Sequence, residues 1–170
     1  MRSPKILFID LDGTLIETYT GNTFAQGIWD MKFKFNVLDK IKQIAPDFVF
    51  IVTNQGGIGK FVSEKEFETK LDYISACVRQ YIKHPGLEAV EAIYCPSMDK
   101  DDPDRKPNSG MLEKCCNIYN INISEYRPDM LMVGDASGKD GQFSDSDKRC
   151  AQNFNIRYLD VDDFVKIMFE

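Results

Sequence analysis

The stretch Lys5-Ile6-Leu7-Phe8-Ile9-Asp10-Leu11-Asp12-Gly13-Thr14 decides the architecture. Its four consecutive apolar residues leave no face for water, which is the pattern of a strand covered on both sides. Acidic residues and a glycine follow at once. The strand is therefore expected to end in a polar turn that presents Asp10 and Asp12 at its carboxyl end.

Outward from this stretch the pattern repeats. Residues 48–52 form a second apolar run that ends at Thr53, and between the two runs lie a turn-rich segment around residues 21–27 and a helical segment. In that helix Val37, Leu38, Ile41, Ile44 and Ala45 share one face, and Pro46-Asp47 stops it. After Gly56-Gly57-Ile58-Gly59, the spacing of Ser63 and Glu66 is that of a capping box, which opens a long helix closed by His84-Pro85-Gly86. Further strands are expected at residues 89–94, 130–133 and 156–159, with helices capped by Ser109, starting from Asp145 and starting from Asp162. Strands alternating with helices predict an α/β fold: a doubly wound, Rossmann-like parallel sheet with helices on both faces. Ligands of such sheets bind beyond the carboxyl ends of the strands. Asp10, Asp12, Thr53 and Asp135 each directly follow an apolar run, and Lys106 follows one by a longer loop, so all are expected on one rim.

Composition sets bounds on the rest. A chain of 170 residues, 43% of them hydrophobic, closes one sizeable core, and residues 1–170 read as a single domain without repeats or linker-like runs. The amino-terminal residues lack the apolar core of a signal peptide, and no stretch approaches membrane-spanning length. The five cysteines are odd in number and have no CxxC spacing, which suits reduced thiols in a cytoplasm. A net charge of -6 argues against a protein that coats duplex nucleic acid with a broad basic surface, though not against a few cations around one phosphate.

The rim residues supply what hydrolysis of a phosphomonoester requires: a nucleophile, a proton donor for the leaving oxygen, and positive charge around the phosphoryl group. Asp10 is the natural nucleophile, and Asp12 is placed to alternate as general acid and base. Converging carboxylates and a phosphate repel one another unless a hard dication joins them, so Mg2+ is the expected cofactor, held by Asp10, Asp135 and the backbone carbonyl of Asp12. Lys106, Thr53 and Asn54 are expected to hold the remaining phosphoryl oxygens.

Four segments in this order resemble the motifs of the haloacid dehalogenase superfamily of aspartate-nucleophile phosphatases: Asp10-Leu11-Asp12-Gly13-Thr14-Leu15, Val52-Thr53-Asn54, Arg105-Lys106-Pro107 and Val133-Gly134-Asp135. Within it the chain resembles the phosphatase domain of the polynucleotide kinase 3'-phosphatases. That likeness rests on residues 53–60, 105–111 and 134–138, on Phe143-Ser144 and Asp147, and on residues 20–24 with Trp29. It implies removal of a 3'-phosphate from a DNA end, as in DNA repair. No GxxxxGK[ST] phosphate loop is present, so no 5'-kinase activity is expected. The second acidic residue of the fourth motif is Asp140 by the superfamily's spacing and Asp147 by that of the nearer family. Neither residues 15–52 nor residues 54–104 leave room for a large cap domain, so an open site that admits a polymer end is expected.

Blander readings compete residue by residue. Asp145 and Asp147 at a helix start suit the helix dipole better than a metal, and His84 suits a helix end better than catalysis. Alternation across Met31-Lys32-Phe33-Lys34-Phe35 marks a half-buried strand more often than a base-stacking surface. One rival enzyme is a small-molecule phosphatase similar to the histidinol-phosphate or heptose-bisphosphate phosphatases. Those relatives commonly carry a Cys/His zinc loop, and here residues 96–104 offer no further Cys or His after Cys95. Another rival is a phospho-accepting receiver module, which has no need of an acid/base group such as Asp12.

Overall fold

The computed structural model describes residues 1–142 and 144–170; Phe143, one of the residues that carry the resemblance, lies outside the described residues. Along the chain run β1 (Ile6–Ile9), β2 (Ile16–Glu17), β3 (Lys32–Phe33), α1 (Phe35–Ile44), β4 (Phe48–Asn54), α2 (Glu64–Ile82) and β5 (Ala89–Cys95). They are followed by α3 (Gly110–Ile118), α4 (Ile123–Tyr126), β6 (Met130–Gly134), α5 (Ser146–Phe154), β7 (Arg157–Asp160) and α6 (Val161–Lys166).

Five strands form a parallel sheet in the order β5-β4-β1-β6-β7. Alternate residues of its centre enter opposite cores, as the pleat requires. Leu7, Ile9, Val49, Ile51, Leu131 and Val133 pack with α1, α2 and α6, whereas Ile6, Phe8, Phe50, Val52, Met130 and Met132 pack with α3 and α5. This double burial is why β1 carries no polar residue. Full burial of a side chain such as Phe8 or Phe50 contributes roughly 1.5–3 kcal/mol.

Local signals explain most boundaries. Ser63 and Glu66 form the expected capping box, with Ser63 Oγ accepting from the Glu66 amide at 3.2 Å and the Glu66 carboxylate accepting from the Ser63 amide at 3.0 Å. Ser109 stands before α3 but makes no side-chain cap bond, and α6 is capped by Asp160, two residues before Asp162. His84 has a structural position: its Nε2 meets the Pro46 carbonyl at 2.9 Å, and its Nδ1 accepts from the Gly86 amide. Of residues 31–35 only Lys32 and Phe33 form β3, which pairs antiparallel with β2 at the base of the excursion between them, and Phe35 opens α1. All five cysteines are free. No helix among the described residues is long and apolar enough to cross a membrane.

Candidate active site

Because β1, β4 and β6 are parallel and adjacent, their carboxyl ends open on the same edge, with Ile9 level with Ile51 on one side and Val133 on the other. Asp10 leaves β1 with its amide still bonded to the Val133 carbonyl at 3.0 Å. The chain then coils back, and the Leu11 carbonyl accepts from the amides of Thr14, Leu15 and Ile16. Gly13 makes this turn possible twice over: its φ is +77°, and a Cβ there would stand 2.1 Å from Asp135 Oδ2. Thr14, fully buried, donates its hydroxyl to Asp10 Oδ2 at 3.2 Å.

Lys106 closes the other side of Asp10. Its ammonium is buried and donates to Asp10 Oδ1 at 2.7 Å, to Asp147 Oδ1 at 2.7 Å and to the Val52 carbonyl at 2.9 Å. All three of its donors therefore have protein acceptors. Asn54 fixes the backbone that carries this side chain: its Oδ1 accepts from the Lys106 amide at 2.9 Å and its Nδ2 donates to the Lys106 carbonyl at 3.0 Å. Where the sequence reading gave the Asn54 amide to a phosphoryl oxygen, the structure engages it with Lys106. Thr53 is buried beside it, and its Oγ1 accepts from Gln55 Nε2 at 2.9 Å, which leaves its own proton free to donate.

The acidic cluster differs from expectation in one member. Asp10, Asp135 and Asp147 bring carboxylate oxygens within 4.8 Å of one another. Asp147 does stand in the first turn of α5, as its position suggested, but it also belongs to the cluster: it is 1% exposed, pairs with Lys106, and accepts from the Ala136 amide at 3.1 Å. Gly134 permits this approach, since a Cβ at that position would lie 2.2 Å from Asp147 Oδ2. Asp140 is exposed and stands outside the cluster. The Asp12 carboxylate also lies outside it, exposed at the mouth of the site and bonded by Gln55 Nε2 at 2.7 Å, so any metal contact from Asp12 comes through its backbone.

Electrostatics follow from this crowding. Burial pushes the Asp10 carboxyl well above its ordinary range, the Asp147 charge adds to the rise, and Lys106 opposes both. Asp135 is raised by burial and then by Asp147. Burial works against the Lys106 charge, but Asp10 and Asp147 outweigh it and hold the ammonium above its usual value. When ionised, three carboxylates against one ammonium leave the cluster two positive charges short. A hard dication with oxygen ligands fits that deficit.

The cleft above these groups, about 440 Å3, is lined by Asp10, Asp12, Thr53, Arg105, Lys106 and Asp135 among others. Gln55 had no assigned role from sequence, and Asp147 had only the one that the resemblance left open between it and Asp140. Gln55 is part of a stretch that reads as an ordinary loop, and Asp147 is 41 residues from the lysine it meets.

A carboxylate held at the end of the central strand by a buried lysine, with a second acid two residues on, defines a haloacid dehalogenase-type phosphatase. The family model for polynucleotide kinase 3 phosphatase matches residues 5–165, and the chain belongs to that family. It is 28% identical over 167 residues to the bifunctional polynucleotide phosphatase/kinase of Schizosaccharomyces pombe, an alignment covering 96% of this chain and 38% of that protein. It is 27% identical over 143 residues to the D-glycero-alpha-D-manno-heptose-1,7-bisphosphate 7-phosphatase of Photorhabdus laumondii, covering 77% and 72%. Its fold is similar to that of D,D-heptose 1,7-bisphosphate phosphatase from B. bronchiseptica, solved with magnesium and phosphate, with a TM-score of 0.66, 18% identity, and coverage of 91% and 78%.

Proposed function

We propose that residues 1–170 form one phosphatase domain that removes 3'-phosphates from polynucleotide ends with Mg2+ as cofactor. The observation that carries the reading is the placement of Asp10 at the floor of an uncapped cleft, held by Lys106 and Thr14, with Asp12 at the mouth. An Asp10 oxygen attacks phosphorus, and the bond from phosphorus to the ester oxygen breaks. Asp12 gives that oxygen its proton. A water then attacks the aspartyl phosphate, Asp12 takes the proton back, and inorganic phosphate leaves with Asp10 restored. Lys106 keeps the nucleophile oriented, and Thr53 is free to donate to a phosphoryl oxygen. Asp10 and Asp135, with the Asp12 carbonyl, would hold Mg2+, and Asp147 sits behind them paired to Lys106. The ion would supply the charge that lets phosphate approach three carboxylates.

The polynucleotide assignment is supported by the family to which the chain belongs and by a likeness to the fission yeast enzyme that covers almost all of it. A heptose-bisphosphate activity is the second reading, favoured by the bacterial relative. Steady-state turnover of a 3'-phosphorylated oligonucleotide, histidinol phosphate, heptose bisphosphate and an aryl phosphate, with Mg2+ and with chelator, separates them. The oligonucleotide is expected to have the highest kcat/KM, and only with Mg2+. Efficient turnover of the small substrates alone would reject the proposal.

A further inference from the structure

Asp160 is a buried carboxylate, 4% exposed, that the chemistry above does not use; among the described residues it belongs neither to the acidic cluster nor to the lining of the cleft. One of its oxygens has a local task. Oδ1 accepts from the Asp162 amide at 3.0 Å and caps α6, with the Lys139 ammonium 3.3 Å away. The other oxygen is turned towards the connection between β6 and α5. There Oδ2 accepts from Ser137 Oγ at 2.5 Å and from Gln142 Nε2 at 3.0 Å. Gln142 Oε1 in turn accepts from the Ser137 amide at 2.8 Å and the Lys139 amide at 3.1 Å, which closes a ring of bonds across the connection.

These bonds bracket Asp135. On its amino-terminal side the Gly134 carbonyl accepts from the Tyr158 hydroxyl at 3.0 Å, and that hydroxyl stands 2.6 Å from Ser137 Oγ. On its carboxyl-terminal side the Ala136 amide is taken by Asp147 and the Ser137 amide by Gln142. The same connection lines the cleft through Ala136, Gly141, Gln142 and Ser144. A helix cap needs one acceptor oxygen and no charge, so capping α6 leaves the second Asp160 oxygen unexplained. The geometry points to Asp160 as a positioning residue: through Ser137 and Gln142 it holds the backbone of Asp135 so that the Asp135 carboxylate stays beside that of Asp10, and it thereby sets the affinity of the site for a divalent cation. Groups behind metal ligands act on affinity in this way by fixing the orientation of the ligand. The inference rests on the proposed Mg2+ site of Asp10 and Asp135.

The test is Mn2+ binding to the metal-free chain, read by electron paramagnetic resonance. Asp160→Asn keeps the volume of the side chain and an oxygen to cap α6, but sets an NH2 group against Gln142 Nε2, donor to donor. Its Mn2+ affinity is expected to fall on the order of tenfold. Ser137→Ala changes no charge and is expected to weaken binding in the same direction. Asp163→Asn removes an exposed charge from the same helix and is expected to leave the affinity unaltered. A role confined to capping would lower the melting temperature of Asp160→Asn without changing its Mn2+ affinity, and that result would overturn the inference. So would an equal loss of affinity in Asp163→Asn, which would make the effect one of net charge. If Asp160→Asn does not fold, Ser137→Ala decides: weakened binding supports the inference and unchanged binding sinks it. Wild-type Mn2+ binding that survives Asp135→Asn would instead remove the proposed metal site, and the inference with it.

Discussion

Lys106→Met removes the only cation that contacts Asp10 and Asp147 among the described residues while nearly preserving the volume of the side chain. In the native chain this ammonium, with 3% of its side chain exposed, makes two ionic hydrogen bonds of 2.7 Å and a third to the Val52 carbonyl. Removing one partner of a buried pair costs about 3–5 kcal/mol, because the remaining carboxylates keep their desolvation without compensation. In a domain of this size each kcal/mol moves the melting temperature by about 2–4 °C, so a fall of roughly 6–20 °C is expected. The loss must depend on pH in a defined direction. Asp10 already has a folded pKa above its ordinary value, and losing Lys106 raises it further. A carboxyl with a raised folded pKa binds more protons folded than unfolded, so stability falls as pH rises through that value. The deficit is therefore larger at about pH 8 than at about pH 5.5. Urea denaturation of both proteins without metal at the two values measures it. A loss under about 1 kcal/mol, or an equal loss at both values, would refute the claim that Lys106 offsets the buried carboxylates.

Asp10→Asn keeps the shape but cannot attack phosphorus; turnover is expected to fall at least about 10^4-fold, the order seen when a covalent nucleophile is lost, and rapid quench with radiolabelled substrate should trap no phosphoryl-protein. Gly134→Ala places a methyl group 2.2 Å from Asp147 Oδ2, which should cost about 1–3 kcal/mol in urea denaturation and lower kcat by moving Asp147 from Lys106. Without metal, stability should decline as pH rises from about 4 through the raised values of Asp10 and Asp135, and Mg2+ should raise the melting temperature most at the alkaline end, where those carboxyls are ionised. A magnesium shift that is constant across pH would contradict the assignment of Asp10 and Asp135 as its ligands.

The strands were legible because burial on both faces writes itself as unbroken apolar runs, and β1, β4 and β6 needed no other signal. Their ends were less so: β4 runs on to Asn54 and β5 to Cys95, since ladder pairing continues after the apolar run stops. Asp10, Thr53 and Asp135 could be placed because each directly follows an apolar run or its closing glycine. Periodicity could not place Asp147, which only the resemblance offered as an alternative to Asp140, because its partners arrive through tertiary folding, and an acid in the first turn of a helix has a sufficient local explanation in the dipole. The glycine before Asp135 was the available hint, for a strand that ends in glycine often marks a close approach. Gln55 was given no role, and Asn54 was expected on a phosphoryl oxygen rather than on the Lys106 backbone. An amide has no preferred chemistry in sequence, and only coordinates reveal that one steadies Asp12 while the other clamps the Lys106 peptide.

The alternation of β1 between two cores makes that strand a length standard as well as a composition. Neighbouring residues point half a revolution apart, so deleting any one residue between Lys5 and Asp10 would send Leu7 and Ile9 where Ile6 and Phe8 belong, or swing Asp10 away from Lys106. Conservative exchanges such as Ile6→Val leave that geometry intact. Tolerance to replacement and tolerance to shortening thus part company in this strand.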